Sequence, residues 1–591
     1  MKRGAQISLI LTSLAVSAFG GDALNPMLRL NELRIEAPAQ ASASMRGAKF
    51  SALGALPADT DSFLAVTGIG ELASMLPGEA APLAGGELVA ELDSFAVGIS
   101  ARAVRDLQRM MPLFQVMSTG MDERAEIWGA QANETAARAI VATQREQHQE
   151  NGEKLIDATA DFHLAPVYFT LSAKEGGTAL LHQLSMLPLM LPMGSDVPVE
   201  MTVRGGWRGF CVLGDRIDLS PAELSPEHEA QVKKNLSRAR LYVVARVIAD
   251  KLVMVVCSDL AEIKETVRPG QSLLASPVMA PFDASLPRKV LAVGYSSPAV
   301  VQLREELDMH DYRSAASFME QVFTRLSKEN EACAAAAAAL KSLVDIVSAL
   351  RPEHYGAERV TIWQEDALHV HMVTASAGIR FNPGHSVSYD ASRDPETVAY
   401  LESTPVTGAS AVNVASAFSL VETVQKGYMA TLKAEPASGV QAPLPGLQEC
   451  RPAVEAASAV FEKWHAGQNG NLTVLLGSAA EDAGSPVTIQ LRAVGADEAQ
   501  LQAGSVQMTV NAAPLRSEAA GVTGAAQGAV FAFNLPQAAQ AWGRLSPATQ
   551  DKAEPGDLYE FSRYVRRIDG AVTSSNHEIH SLLRIFPVEK N

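Results

Sequence analysis

Aromatic side chains make up only 6% of this 591-residue chain, too few for a platform on which bases or sugars stack. Basic residues are also in deficit, 49 Lys and Arg against 66 Asp and Glu, for a net charge of −17. A protein that holds nucleic acid by neutralising phosphates carries the opposite balance, so that class is excluded. Charged residues as a whole reach only 19%, below the usual quarter or so. Cysteine occurs four times, at Cys211, Cys257, Cys333 and Cys450, with no CxxC pair. An oxidising compartment permits disulfides between them, and buried single thiols fit equally well. No S-x-x-K, GKS or GKT is present, which removes the motifs of penicillin-binding proteins and P-loop enzymes.

Long apolar runs are scarce too. Leu180 to Met193 is interrupted by Pro188 and Pro192, and Cys333 to Leu350 contains Lys341 and Asp345. Neither reads as a membrane span, which needs roughly 20 predominantly apolar residues. At the N-terminus, Lys2 and Arg3 precede an apolar run from Ile7 to Val16, broken by Ser8, Thr12 and Ser13. Ala18-Phe19-Gly20 follows with small residues where a signal peptidase reads, and Asp22 closes the segment. This pattern predicts a leader over residues 1–20, cleaved on export, and a mature chain starting near Gly21. No cysteine follows the run, so a lipid anchor is not expected.

What is present is 47% hydrophobic residues, enough to build cores in two or more domains. Residues 21–50, small and polar, read as a linker. Beyond it, strand-then-helix units recur: Phe63–Val66 before a helix from Glu71, Val167–Leu171 before Thr178–Leu187, and Val290–Val293 before Ala299–Leu307. Ala411–Val414 precedes Phe418–Leu432, and Val530–Phe533 precedes Ala538–Leu545. Pro298 and Pro536 sit where a first helical turn tolerates a missing N–H.

Pro57, Ser62, Leu64, Val66 and Leu72 match Pro405, Ser410, Val412, Val414 and Leu420, each 348 positions later. The match points to an internal duplication. Hairpins are expected at Leu241–Val247 with Leu252–Cys257 and at Val360–Trp363 with Leu368–Val373, and a turn at Asp569-Gly570 after Tyr564–Ile568. Two long helices are expected, Ala103–His148 with breaks near Pro112 and Gly120, and Tyr312–Leu350 around the run Ala334–Ala339. The fold class is therefore α+β: antiparallel sheets with packed helices, two related domains from a duplication, and long Ala-rich helices. An N-terminal α+β domain is placed at 51–380 and a C-terminal one at 381–591, their boundary near the Gly378, Pro383, Gly384 and Pro395 cluster.

The segment Leu56-Pro57-Ala58-Asp59-Thr60, behind a leader and ahead of a strand, resembles the opening of exported bacterial proteins of unknown function. The resemblance implies export. Those families carry no assigned chemistry to transfer.

Sites with chemical potential are few. Gly68-Ile69-Gly70-Glu71-Leu72-Ala73 fits the dinucleotide pattern, with Glu91 or Asp93 placed for a ribose. Pro77 and Gly78, however, leave no room for the crossover helix, and Glu71 would repel a pyrophosphate, so a tight turn is expected. Gly384-His385-Ser386-Val387-Ser388 departs from the nucleophile elbow at its last position and sits beside a turn rather than on a strand-to-helix bend. His369-Val370-His371 is the metal candidate, because i and i+2 share a strand face. No third ligand is identifiable, so a half-exposed strand without metal is the expectation. His577-Glu578-Ile579-His580 has the wrong spacing for a zinc helix. Met110, Met111, Met117, Met121, Met186, Met190 and Met193 read as core filler.

No cofactor is expected, and no catalytic residue is identifiable. The residues lead to an exported protein, periplasmic or secreted, with a non-catalytic binding or assembly role toward an envelope or secreted partner. The alternative is a hydrolase lacking a recognisable motif.

Overall fold

A computed structural model describes residues 50–69 and 91–118, most of 134–375, six strands between 408 and 534, and most of 563–588. Strand β1 (Ser62–Thr67) alternates between half-buried and buried residues, the period-2 pattern of a strand with one face in the core. It lies antiparallel between β2 (Leu92–Ile99) and β8 (Val290–Ser296). Outward from β2 come β3 (Val167–Ala173), β7 (Lys251–Cys257), β6 (Arg240–Ile248), β5 (Trp207–Leu213) and finally β4 (Val199–Arg204). Outward from β8 come β9 (Glu358–Gln364), β10 (Leu368–Ala375), β18 (Glu578–Pro587) and β17 (Val565–Ser574).

These twelve strands are antiparallel throughout, and with the helices they make the protein mixed α+β. Six further strands extend the sheet from β17: β16 (Gln527–Asn534), β11 (Gly408–Asn413), β12 (Thr473–Ala479), β13 (Val487–Val494), β15 (Val506–Ala513) and β14 (Ala499–Ala503). The pairing of β13 with β15 is parallel.

Around β1 and its neighbours the sheet is covered on both faces. On one, a 3-10 turn at Ser51–Ala55 and the Leu273–Phe282 segment close over Phe63, Ala65, Ala96, Val253 and Val255. On the other, Ala103, Leu107 and Met110 of helix α1 (Ala101–Ser118) pack on Ile99, Val167, Phe169 and Val256. Helix α2 (Glu134–Ala160) packs against several other helices, α1 among them. Its Ile140 meets Phe323 of α5 (Pro298–Leu326) and Ala336 and Ala337 of α6 (Glu331–Ala349). Its Leu155 meets Val232 and Leu236 of α4 (Pro226–Leu236), whereas α3 (Thr178–Leu184) lies beside β3 and β7. Alanine at 336 and 337 leaves a thin helix profile, so α6 lies close to Phe323. No helix of the described residues is long and apolar enough to cross a membrane.

Local chemistry explains where helices start. Ser297 accepts a hydrogen bond from the Val300 N–H and Pro298 is the first helical residue; Ser225 and Pro226 repeat the arrangement at α4. Each cap satisfies an N–H that the helix leaves without a partner. In the β6–β7 hairpin, Asp250 takes a left-handed conformation (φ 63°), one that Asp adopts more readily than most residues.

Several expectations need correction. Asp569-Gly570 is no turn: β17 runs through it to Ser574, with Gly570 opposite both Phe531 and Leu583. Pairing on both edges holds the dipeptide extended. Pro112 does not break α1, which continues to Ser118, and α2 runs past His148 to Ala160. The single helix expected over Tyr312–Leu350 is two, α5 beginning at Pro298 and ending at Leu326 before α6 begins. The helices expected after Glu71, Phe418 and Ala538, the Gly384–Ser388 segment, the boundary cluster from Gly378 to Pro395, Cys450 and His577 lie outside the described residues.

Candidate functional site

Leu56–Asp61 is pinned at both ends. The Leu273 N–H donates to Leu56 O (2.8 Å) and the Ala58 N–H to Gln271 O (2.9 Å), while Thr60 folds back on Pro57 O through its N–H (3.2 Å) and hydroxyl (2.7 Å). Asp61 then ties three elements together. Its N–H donates to Ile99 O (3.1 Å), its carbonyl accepts from Ser297 N–H (2.8 Å), and its carboxylate accepts from Ala101 N–H (2.7 Å). That last bond caps α1 from a distant part of the chain. Between this segment, the first turns of α1, Ala165–Tyr168 and the 261–264 turn opens a cleft of about 680 Å³.

Charges of both signs line it: Asp59, Asp61 and Glu262 against Arg102, Arg105 and Lys264. Asp59 and Lys264 form an ion pair, and Arg102 meets Glu262 at 3.2 Å. Behind the Arg102–Glu262 pair stands His163. Its Nδ1 lies 2.9 Å from the buried Asp106 carboxylate, which also accepts the Ala165 N–H at 2.9 Å. The carboxylate there calls for a proton on Nδ1. Nε2 faces both the Arg102 guanidinium at 3.1 Å and Glu262 Oε1 at 3.3 Å.

An Asp–His pair of this kind serves a nucleophile when a hydroxyl or thiol sits on the second nitrogen. Here an arginine and a carboxylate sit there, so the pair positions charge at the cleft rim. The cleft's own hydroxyls are engaged in structure: Thr60 with Pro57 O, Ser100 with the Ala103 N–H (3.2 Å), and Tyr168 with the Lys264 N–H (2.9 Å). Burial pushes the Tyr168 phenol up to about 12, so it stays protonated at neutral pH. The same cause raises the Cys257 thiol to about 12 and the Cys211 and Cys333 thiols in the same direction. These three cysteines are buried and free.

The metal candidates lie elsewhere, on β10. His369 is buried and stacks on Trp363, with ring centroids 4.9 Å apart. His371 faces a residue that sequence spacing did not nominate as its neighbour, His580 on β18, with Nε2 and Nδ1 3.3 Å apart. Strand register brings the two together, Val373 being opposite His580. Among the described residues, no group of three His, Cys, Asp or Glu could hold a metal ion.

The dinucleotide pattern is also accounted for. Gly68 turns at φ 64° and donates to Asp93 O at 3.0 Å, and β1 pairs antiparallel with both neighbours, whereas the nucleotide crevice needs parallel strands. Asp93 meets Ser51 and Ser172 rather than an open groove. Met110 is buried as expected, while Met186 is exposed.

His163, Asp106, Arg102 and Glu262 escaped sequence reading because they converge from separate loops and a helix, 57 and 99 positions apart for the histidine's two carboxylate partners. The signal that was present is the Leu56–Thr60 segment, whose Pro57, Ala58, Asp59 and Thr60 line one wall of the cleft. No family model, curated protein or solved structure matches the chain.

Proposed function

We propose that this is an exported, non-catalytic binding or assembly component of the bacterial envelope or secretome, with the cleft beside Pro57–Asp61 as its ligand seat. The observation that carries this reading is the two-signed lining with its hydroxyls already committed. Such a wall recognises charge at two points and offers no activated nucleophile. The chemistry that fits is a small ligand with an anionic and a cationic end, such as a short peptide with free termini: a carboxylate toward Arg105, an ammonium toward Asp59 and Asp61. Export rests on the Lys2–Asp22 pattern, and N-terminal sequencing that returned Met1 from extracted protein would remove it.

Calorimetric titration of the full chain with trialanine tests the seat. Free trialanine should bind, its acetylated and amidated form should not, and Arg105→Gln should weaken binding about tenfold, the scale of one lost charged contact. No binding, or equal binding of the blocked peptide, overturns the assignment.

Duplication, with units at 51–380 and 381–591, belongs to the same reading. In its support, β1 stands between β2 and β8, with β3 beyond one and β9 and β10 beyond the other. Likewise β11 stands between β12 and β16, with β13 beyond one and β17 and β18 beyond the other. The two series meet at the β10–β18 pairing. One step departs from the repeat: β3 pairs antiparallel with β7, β13 parallel with β15.

A further inference from the structure

Among the described residues, strand β4 ends the sheet and pairs with β5 alone. An unpaired edge presents a row of N–H and C=O groups that can template another strand, and proteins ordinarily blunt it with charged side chains, lysine above all, with proline or with a bulge; on β4 the charges are one of each sign, Glu200 and Arg204. The six residues Val-Glu-Met-Thr-Val-Arg contain no lysine or proline, and their register with β5 is unbroken. Two of them put apolar surface in water: Met201 is 56% exposed and Val203 73%.

The sequence of this edge is complementary to itself. We propose that a second copy of the chain docks along β4, antiparallel, with Thr202 opposite the same residue of the other copy. Directly opposite residues share a sheet face. In this register Met201 meets Val203 on one face and Glu200 meets Arg204 on the other, and the two-fold axis repeats each pair. Every large or charged side chain from 200 to 204 then has a fitting partner. It is the one antiparallel register that sets both glutamates against both arginines. Among the described residues, Arg216 also lies near Glu200, at 3.8 Å with both side chains well exposed, a contact too solvated to compete. The tight turn at Gly205-Gly206, both at positive φ, holds β4 against β5 and keeps the edge extended.

A six-residue edge buries little area, so association with a dissociation constant on the order of tens of micromolar is expected. Sedimentation velocity on the full chain, across concentrations spanning that range, should show a monomer–dimer equilibrium. Glu200→Arg sets like charges opposite one another twice and should weaken the dimer about tenfold. The swap Glu200→Arg with Arg204→Glu restores opposite signs in the same register and should recover the original affinity within about threefold. Oxidised Thr202→Cys should give a covalent dimer, because the position faces itself, whereas Val199→Cys should not. A chain monomeric at every concentration overturns the proposal. So does a dimer indifferent to Glu200→Arg, or one that the charge swap fails to restore although the variant folds with an unchanged circular dichroism spectrum.

Discussion

Strands β1 and β4 are equal in length, six residues each, but β1 reads Ser-Phe-Leu-Ala-Val-Thr, with four apolar residues in a row, and β4 reads Val-Glu-Met-Thr-Val-Arg, apolar and polar in alternation. Their surroundings are opposite. β1 is paired on both edges, and Phe63 packs against Phe282 and Tyr295 at centroid distances of 5.9 and 6.1 Å. β4 has one described partner, and none of its six residues is buried. Both patterns make a strand, while the neighbours that arrive from elsewhere in the chain decide whether it becomes core or edge. In β1 those neighbours come from 92–99 and from 290–296.

The sharpest way to break this contrast is alkali. The β1 side of the sheet buries Tyr168 and Cys257, both held protonated with pKa values raised to about 12 from 10.0 and 9.0. A raised folded value favours the fold only while the group stays protonated. The contribution is complete below pH 9 and disappears as the pH climbs through about 12. At roughly 1.4 kcal/mol per pH unit the thiol alone accounts for about 4 kcal/mol. Urea titrations at pH 8, 10 and 11.5 should show the stability of this region falling steeply across the series, and Cys257→Ala should flatten the fall. A flat profile in the unaltered chain would mean that these groups are not desolvated as described.

Next in size is Phe63→Ala. A buried aromatic ring removed from a packed site costs about 3–5 kcal/mol, from lost transfer energy and the cavity left behind. Met201→Ala on the edge should cost less than about 0.5 kcal/mol, as surface substitutions do. Equal shifts in the urea midpoint for the two variants would erase the distinction between core and edge.

The parts of this fold that were legible beforehand are those written in local chemistry. Val290–Val293 followed by Ser297-Pro298 announces a strand, a cap and a first helical residue within nine positions, and β8 and α5 follow it. The β6–β7 and β9–β10 hairpins were readable for the same reason, two apolar runs about a short polar break. Asp569-Gly570 misleads because a turn signal is a statement about isolated backbone preference, and β16 and β18 on either side of β17 override it. The cleft was not read from sequence: Leu56–Thr60 stood out there only as a resemblance to exported proteins. A carboxylate from α1, an imidazole from the loop before β3 and a glutamate from the turn after β7 have no common spacing that a sequence could display. His371 and His580 show the same limit, 209 positions apart and joined by strand register alone.

A smaller effect tests the cleft's own contrast between buried and exposed charge. Asp106→Ala leaves the buried Ala165 N–H without its acceptor and His163 Nδ1 without its anchor. The expected cost is about 2–3 kcal/mol. Asp59→Ala removes an ion pair in which both side chains are more than half exposed, worth about 0–1 kcal/mol. Comparing the two urea midpoints decides whether Asp106 is the carboxylate that holds the cleft in shape; if Asp59→Ala proves the costlier, that role passes to the rim.

The smallest expected effect belongs to Val203→Lys. At 73% exposure the valine contributes little burial to the monomer, and lysine keeps its stem along the sheet while its ammonium stays in water. Strand propensity falls slightly, since a β-branched side chain is lost, so a change within about 0.5 kcal/mol follows. Lysine is also the residue that commonly guards an exposed edge. The variant should therefore leave the urea midpoint in place and lower the tendency of the chain to associate. A midpoint shift above about 1 kcal/mol would show that Val203 packs against something and that β4 is closer to β1 in character than its exposure says.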